Sequence, residues 1–408
     1  MSVTIDYIRT AEKLIAGEVL RTPTIPSRAL SQRSGADIVV KLESLQHTGS
    51  FKPRGALVKL SSLDSAARKA GVAAASAGNH AQGVAFHAQR MGIPATIFMP
   101  EGTPFNKVAR TEALGATVRV EGQGLAEAGE RAQRLAKDQG MTYVHPYDDD
   151  AIIAGQGTVA LEMLADYPDL DVLVVPIGGG GLIAGMAIAA KAVKPGIEIV
   201  GVQAALYPSM FKALKGEAQT AGAGQTIAEG IAVKVPGGRT KPIVEALVDD
   251  VLLVDETAIE CAVQIYLEMQ RLVVEGAGAA TLAALLGNPD RFRGRKVGLV
   301  VSGGNMDSRI LASILMRGLA REGRLARLRI EIDDRPGVLA KVAGLIGQSG
   351  GNIVEVTHQR MFYDVPVKEA DLDVVVETMD ADHVREVIDK LKKGGFEARL
   401  LSNVSDEG

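Results

Sequence analysis

The sequence predicts an α/β fold built on mainly parallel sheets, with a small C-terminal domain of ferredoxin-like βαββαβ order. Two patterns carry this expectation. Through most of the chain, short, continuously apolar, β-branched runs alternate with helical segments, as strands covered on both faces and their crossover helices do. Beyond Ala326 the pattern becomes a compact series of alternating strands and amphipathic helices. At 408 residues the chain exceeds what one hydrophobic core usually spans.

Taken in order, the opening MSVTIDYIRTAEKLI reads as a charged amphipathic helix, not a signal peptide. Residues 49–55, Gly-Ser-Phe-Lys-Pro-Arg-Gly, read as a tight turn opening a helix, with Pro53 at a first-turn position where its missing N–H costs nothing. Strands are predicted at 72–76, 95–99, 117–120, 142–145, 172–176, 199–203, 251–254 and 296–302. Helices are predicted at 81–91, 104–114, 124–139 and 183–193. Residues 316–326 are basic, contain two glycines and read as a linker, centred on 321–326. The C-terminal domain, 327–408, then runs strand 328–332, helix 338–346 after an Asp334–Gly337 turn with a proline helix start, strands 353–359 and 372–377, helix 381–391 and strand 397–400.

Composition narrows the function classes. Net charge is −4 with no basic block, which argues against nucleic acid. One cysteine, Cys261, permits neither an internal disulfide nor a cysteine zinc cluster, and six scattered histidines make a metal centre improbable. The most apolar stretch, 178–193, is glycine-rich, short and flanked by Lys191 and Lys194, so no membrane span is expected. A soluble cytoplasmic protein is the resulting expectation.

Ligands of parallel sheets gather at the C-terminal strand ends, and unusual residues cluster there. Lys52 stands at a helix start, where the macrodipole disfavours a permanent cation and favours the neutral amine of Schiff-base chemistry; taken alone, the heptapeptide reads rather as a surface lysine beside a turn. Gly178, Gly179, Gly180 and Gly181, then Leu182, lie between a strand and an apolar helix, suited to cradling a phosphate or to close packing. Ser76, Ala77, Gly78, Asn79 and His80 open another helix with donors suited to a carboxylate and a phenolic oxygen, or to an ordinary helix cap by Ser76 or Asn79. His80 itself reads as a helix-surface residue without a catalytic role. Ser302 ends an interior strand, able to meet a ring nitrogen or simply to turn the chain with its glycine pair.

Together these motifs resemble the pyridoxal-phosphate enzymes of the tryptophan-synthase-β fold type (fold type II), and within them the threonine dehydratases. The resemblance rests on S-F-K-P-R-G at 50–55, S-A-G-N-H-A-Q-G at 76–83, I-A-G-Q-G-T at 153–158, G-G-G-G-L at 178–182, E-G-A-G-A at 275–279 and S-G-G-N at 302–305, each expected at an element boundary. D-R-P-G-V-L at 334–339 makes the C-terminal domain resemble an ACT domain. The resemblance implies a catalytic domain at 1–320 with a smaller subdomain near 50–150. It implies pyridoxal 5'-phosphate as cofactor, Lys52 joined to its aldehyde and acting as base, and Phe51 against its ring. Gly178, Gly179, Gly180, Gly181 and Leu182 would hold its phosphate, Asn79 its ring hydroxyl and Ser302 its pyridine nitrogen, with Glu275 near the ring. The Ser76–His80 loop, through Ser76, Ala77, Gly78, Asn79 and His80, would take the substrate carboxylate. The implied reaction is α,β-elimination from threonine to 2-oxobutanoate and ammonia, and from serine to pyruvate. An amino-acid effector is expected near Asp334, Gly337, Val338, Leu339, Asn352 and Ile353, in a homodimer or homotetramer. A structural dimerisation module is the alternative for this domain.

Two departures from relatives bear on the reaction. Serine racemases carry a second serine where Ala77 stands, and a metal-binding glutamate where Gln203 stands, so neither racemisation nor a divalent cation is expected. The competing readings are a β-replacement enzyme, a dehydratase of serine or 3-hydroxyaspartate, a non-catalytic amino-acid sensor, and a nucleotide-dependent dehydrogenase, which the absence of G-x-G-x-x-G disfavours. A carboxylate at the ring nitrogen would keep it protonated and deepen the electron sink. Ser302→Asp is therefore expected to lower the dehydration rate, and unchanged turnover would remove the argument. L-Serine incubated with the enzyme is expected to yield pyruvate with little D-serine, since Ala77 cannot donate a proton.

Overall fold

In the computed structural model, which describes residues 3–218, 224–359 and 369–401, the chain forms two compact units, Met1–Asp307 and Ser308–Gly408. Among the described residues, the first contains ten strands: β1 (Thr24–Pro26), β2 (Asp37–Leu42), β3 (Val72–Ala75), β4 (Ala95–Met99), β5 (Thr117–Val120), β6 (Thr142–Tyr143), β7 (Val172–Pro176), β8 (Glu198–Ala204), β9 (Asp250–Val254) and β10 (Lys296–Val301). They form two sheets, of order β1-β2-β10-β7-β8-β9 and β5-β4-β3-β6. All these pairings are parallel except β1 with β2. The central strands β3, β7 and β10 are buried along almost their whole length, which is why they read as unbroken apolar runs, whereas the edge strand β5 is largely exposed. β1 and β2 escape a pattern search because one is three residues long and the other carries Lys41 inside its apolar run.

The helix Asp150–Asp166 holds the two sheets' helices in register. It is apolar nearly all round, with thirteen buried residues, so no one-sided period marks it in the sequence. The I-A-G-Q-G-T motif lies within this helix and not at an element boundary. Its glycines serve close approach. A Cβ on Gly155 would stand 2.6 Å from the Cα of Gly55 in the helix Lys52–Ser61, and one on Gly185 in the helix Gly181–Val193 would stand 2.2 Å from the Ile153 carbonyl. One helix thereby meets both the lysine helix and the glycine-loop helix at backbone contact.

A buried ionic quartet reinforces that contact. Arg54 is fully buried; its Nε and Nη2 donate to the two Glu43 oxygens, both at 2.8 Å, and Nη1 and Nη2 donate to Glu162 at 2.7 and 2.9 Å. Lys41 Nζ, also buried, donates to Glu162 at 2.5 Å and to the Thr22 carbonyl at 2.7 Å. Burial pushes the Glu43 carboxyl up, but the Arg54 charge and hydrogen bonds win and hold it below the usual carboxylate range.

The second unit contains β11 (Leu325–Asp333), β12 (Asn352–Gln359), β13 (Glu369–Glu377) and β14 (Glu397–Leu400) in an antiparallel sheet of order β12-β13-β11-β14. Helices Val338–Gln348 and Ala381–Lys393 contribute Val342, Ile346, Val384, Val387 and Leu391 to a core with Leu328, Ile330, Leu372 and Val374. This is the βαββαβ order read from the sequence, and no helix among the described residues is long and apolar enough to cross a membrane. The stretch read as a linker is instead structured. Helix Ser308–Arg321 belongs to the second unit, and β11 starts at Leu325, tied by the Thr378 amide and hydroxyl to the carbonyls of Arg324 and Gly323. The unit boundary accordingly falls after Asp307, not near 320. Helix Val338–Gln348 starts behind Gly337 in left-handed conformation (φ 89°), with Pro336 outside it.

Removing Arg54 leaves two buried carboxylates without their shared cation. Arg54→Ala is expected to cost ~3–5 kcal/mol of stability in urea unfolding; a loss below ~1 kcal/mol would show that the quartet is not what joins these helices.

Candidate active site

Lys52 is the first residue of its helix, and Phe51 before it is half-buried against the main core. The turn holding them docks on the end of β10: Ser50 bridges Gly303, the Phe51 amide donates to the Ser302 carbonyl at 3.1 Å, and the Gly304 amide donates to the Gly49 carbonyl at 2.9 Å. Gly49 takes φ 70°, a conformation glycine adopts without strain. Lys52 and Ser302, 250 positions apart, are thus joined through backbone bonds. Ser302 is 2 % exposed.

The Lys52 amine donates to the Pro146 carbonyl at 2.8 Å and lies 5.1 Å from the Phe51 ring centre. Burial lowers its pKa from 10.5 to about 8, with Glu275 pulling weakly the other way. Glu275 shifts oppositely. Burial raises it to about 7, against hydrogen bonds from Asn79 and the Asn305 backbone. Asn79 links the two strand ends: its Nδ2 donates to Glu275 Oε1 at 2.8 Å and its Oδ1 accepts from Asn305 Nδ2 at 2.7 Å, while Asn305 also donates to the Thr48 carbonyl.

The helix behind the asparagine loop runs Asn79–Arg90 with Gly78 at its N-cap and no side-chain cap. Ser76 Oγ instead accepts from the Gly78 amide at 3.1 Å, and Ala77 and Gly78 are half-buried, with open space where a Gly78 Cβ would be. His80 is not on the helix surface. It is 4 % exposed, its Nε2 pairs with the Val144 carbonyl at 2.9 Å, and burial beside Lys52 lowers its pKa to about 3, so it is neutral.

At the end of β7, Gly180 adopts φ 97° and caps the helix Gly181–Val193, whose first intrahelical bond runs from the Ala184 amide to the Gly180 carbonyl. The amides before Ala184 therefore open at the positive helix end. Leu182 is buried in the core behind the loop. Gly179 is held from the far side by Thr240 Oγ1, which donates to its carbonyl at 2.6 Å.

The sequence reading missed one stretch of this site. Tyr147 packs its ring on the glycine loop, where a Gly179 Cβ would come within 2.3 Å of it, and its hydroxyl donates to the Val235 carbonyl at 3.2 Å. His145 Nδ1 accepts from the Tyr147 and Asp148 amides, and Asp148 accepts from the amides of Gly238, Arg239 and Thr240. The strand expected at 142–145 ends at Tyr143, so 144–148 is a loop lying between the lysine and the glycines. The H-P-Y-D run after a short strand was the available signal. Gln203 has its amide committed: Nε2 donates to the Ile177 carbonyl and Oε1 accepts from the Phe211 amide. Among the described residues no cluster of histidine, cysteine and acidic side chains suits a metal ion.

Residues 15–303 match the family model described as pyridoxal-phosphate dependent enzyme. This chain belongs to that family. As a pyridoxal-phosphate dependent enzyme it carries a second match, to the ACT domain, over residues 326–393. It is 43 % identical to an L-threonine ammonia-lyase of Thermotoga maritima over 400 residues, 98 % of this chain and 100 % of that one. It is equally similar, 43 %, to an L-threonine ammonia-lyase of Geobacter sulfurreducens, covering 97 % and 98 % of the two chains. Among solved structures, the processed form of threonine deaminase isoform 2 from Solanum lycopersicum superposes with a TM-score of 0.71 at 33 % identity, covering 76 % of this chain and 93 % of that one. Maize serine racemase does so with a TM-score of 0.73 at 36 % identity, covering 79 % and 99 %. The cofactor is pyridoxal phosphate, and the site fits it: a glycine cradle at a helix N-terminus, an amine of lowered pKa and a buried serine at a neighbouring strand end.

Because the folded Lys52 titrates below its unfolded value of 10.5, the folded state binds fewer protons between about 8 and 10.5, and the burden of burying this amine is relieved as pH rises through that window. Imine formation needs the neutral amine. The rate at which apoprotein takes up pyridoxal phosphate is therefore expected to rise with pH about a midpoint near 8, and to vanish in Lys52→Ala. A midpoint near 10.5 would overturn the assignment.

Proposed function

We propose that this enzyme is an L-threonine ammonia-lyase that converts L-threonine to 2-oxobutanoate and ammonia, and L-serine to pyruvate, with Lys52 as cofactor anchor and base. The observation that carries the reading is the 43 % identity, across nearly the whole of both chains, to two proteins named L-threonine ammonia-lyase.

Bound pyridoxal phosphate supplies an aldehyde for the substrate amine and an electron-withdrawing ring. The residues of this chain choose the outcome. Lys52 Nζ, with its pKa near 8, is neutral in an appreciable fraction at physiological pH and takes the proton from the substrate α-carbon. The glycine-loop amides and the positive end of helix Gly181–Val193 hold the phosphate. Ser76, Ala77, Gly78, Asn79 and His80 frame the substrate carboxylate. Asn79 orients the ring oxygen while Glu275, largely protonated below about pH 7, and Asn305 hold its amide. Ser302 offers a neutral hydroxyl at the ring nitrogen, which favours prompt loss of the β-hydroxyl. Ala77 provides no proton donor for the opposite face, which favours elimination over racemisation even though serine racemases share the fold.

The ACT domain is proposed to bind an amino acid at the exposed turn of Asp334, Gly337 and Leu339, beside half-buried Val338 and Ile353 and exposed Asn352, in a cytoplasmic homo-oligomer that feeds isoleucine biosynthesis. Purified holoenzyme is expected to release 2-oxobutanoate from L-threonine, and Lys52→Ala to lose at least ~10³-fold in kcat/KM. Cysteine and acetate formed from O-acetylserine and sulfide, without 2-oxobutanoate from threonine, would point to β-replacement instead. Titrating amino acids against the full chain and a chain ending at Asp307 checks the regulatory role; identical kinetics in both would sink it.

A further inference from the structure

A cavity of about 550 Å³ lies at the far ends of the two helices that carry Lys52 and Asn79. Leu57, on the helix Lys52–Ser61, and Met91, just past the helix Asn79–Arg90, form apolar walls with Leu14 of the helix Ile5–Ile15. Its polar lining comes from Glu18, Ser61, His87 and Arg90. Glu18 and Arg90 sit at the rim, paired at 2.8 Å with side chains 51 % and 49 % exposed. His87 is 1 % exposed, and its Nε2 is buried with no hydrogen-bond partner. A buried polar atom left unpaired is costly, and this one belongs to a residue that lines the cavity.

Arg90, Glu18 and His87 differ in kind. Arg90 offers a carboxylate its fork of donors, and Glu18 offers an ammonium its oxygens. An exposed pair of this type contributes little by itself, so the two re-partner readily. His87 is held neutral by burial, its pKa lowered to about 4, so it serves as a hydrogen-bonding group and not as a second cation. Adjacent opposite charges over apolar walls match a zwitterion bearing a neutral side chain. We propose that this cavity is a binding site for a neutral zwitterionic α-amino acid, within the catalytic unit and separate from the ACT domain, that modulates the active site.

The coupling route is short. Leu57 is five residues beyond Lys52, and His87 eight beyond Asn79, so the occupant lies roughly 8–12 Å along each helix from its functional end. Gly83 lets the two helices mesh near those ends: a Cβ there would meet the Lys52 backbone carbon at 3.1 Å. An occupant wedged between the other ends changes the angle at that contact, and with it the placement of Lys52 against Asn79. Such coupling requires that the amino acid bind one arrangement more tightly than the other.

The test is equilibrium dialysis of full-length holoenzyme with radiolabelled L-leucine and L-homoserine, with the cofactor absorbance band recorded alongside. Saturable binding of at least one is expected, with a change in the band. Neither isoamylamine, lacking the carboxylate, nor 4-methylpentanoate, lacking the ammonium, should displace it. Arg90→Gln and Glu18→Gln are each expected to weaken binding at least ~10-fold, the loss of one charged hydrogen bond, while leaving the cofactor band of the unliganded enzyme unchanged. His87→Phe should impair homoserine more than leucine. Absence of saturable binding by both amino acids, or binding that survives both rim substitutions and therefore belongs to the ACT domain or the active site, would overturn the proposal.

Discussion

The backbone contact between helix Asp150–Asp166 and its two neighbours is the constraint on which this site depends. Gly55 against Gly155 on one side, and Gly185 against the Ile153 carbonyl on the other, bring helix Lys52–Ser61 and helix Gly181–Val193 as near as backbones can lie. The amine and the glycine loop stand at the N-termini of those two helices. Interiors are close-packed, so a methyl group added at either crossing would have to move a helix. The ionic quartet closes the same seam from another direction, because Arg54 leaves the lysine helix to meet Glu162 of the central one.

Electrostatics then tune what packing has positioned. Burial pushes Lys52 down to about 8 and Glu275 up to about 7, so the amine loses its charge as pH rises through about 8 and the carboxyl loses its own as pH falls through about 7. Burial thus weakens the charge of both the carboxyl beside Asn79 and the amine beside Pro146, while the N-terminal end of helix Gly181–Val193 supplies positive potential beside the glycine loop. Ser302, buried at the end of β10, likewise presents a hydroxyl and no ionised group.

Much of this was legible in the sequence. The eight strands read from apolar runs all occur, and the βαββαβ order of the second unit follows from alternation and turn residues whose effect is local. Reading failed where local signals were absent or ambiguous. The all-round apolar helix Asp150–Asp166 has no polar face to give it a period, so a motif in its interior passed for a boundary. His80 looked like a surface residue because imidazole is compatible with either environment, and only the packing of β6 and its loop buries it. The basic stretch before β11 looked like a linker because its charges face solvent along a helix.

Chemical identity at the strand ends is a property of the sequence alone. Lysine before proline, four consecutive glycines, asparagine in a glycine-flanked loop and serine before Gly-Gly-Asn each state what their atoms can do. The tertiary structure decided which of them work on one another. It joined Lys52 to Ser302 through the Ser50–Gly303 bridge, turned Asn79 between Glu275 and Asn305, and inserted Tyr147 against the glycines. It also committed the charges of Lys41, Glu43, Arg54 and Glu162 to one buried cluster. These pairings join residues far apart in the chain, and their distances and pKa values come from burial and close packing, which no local window of sequence contains.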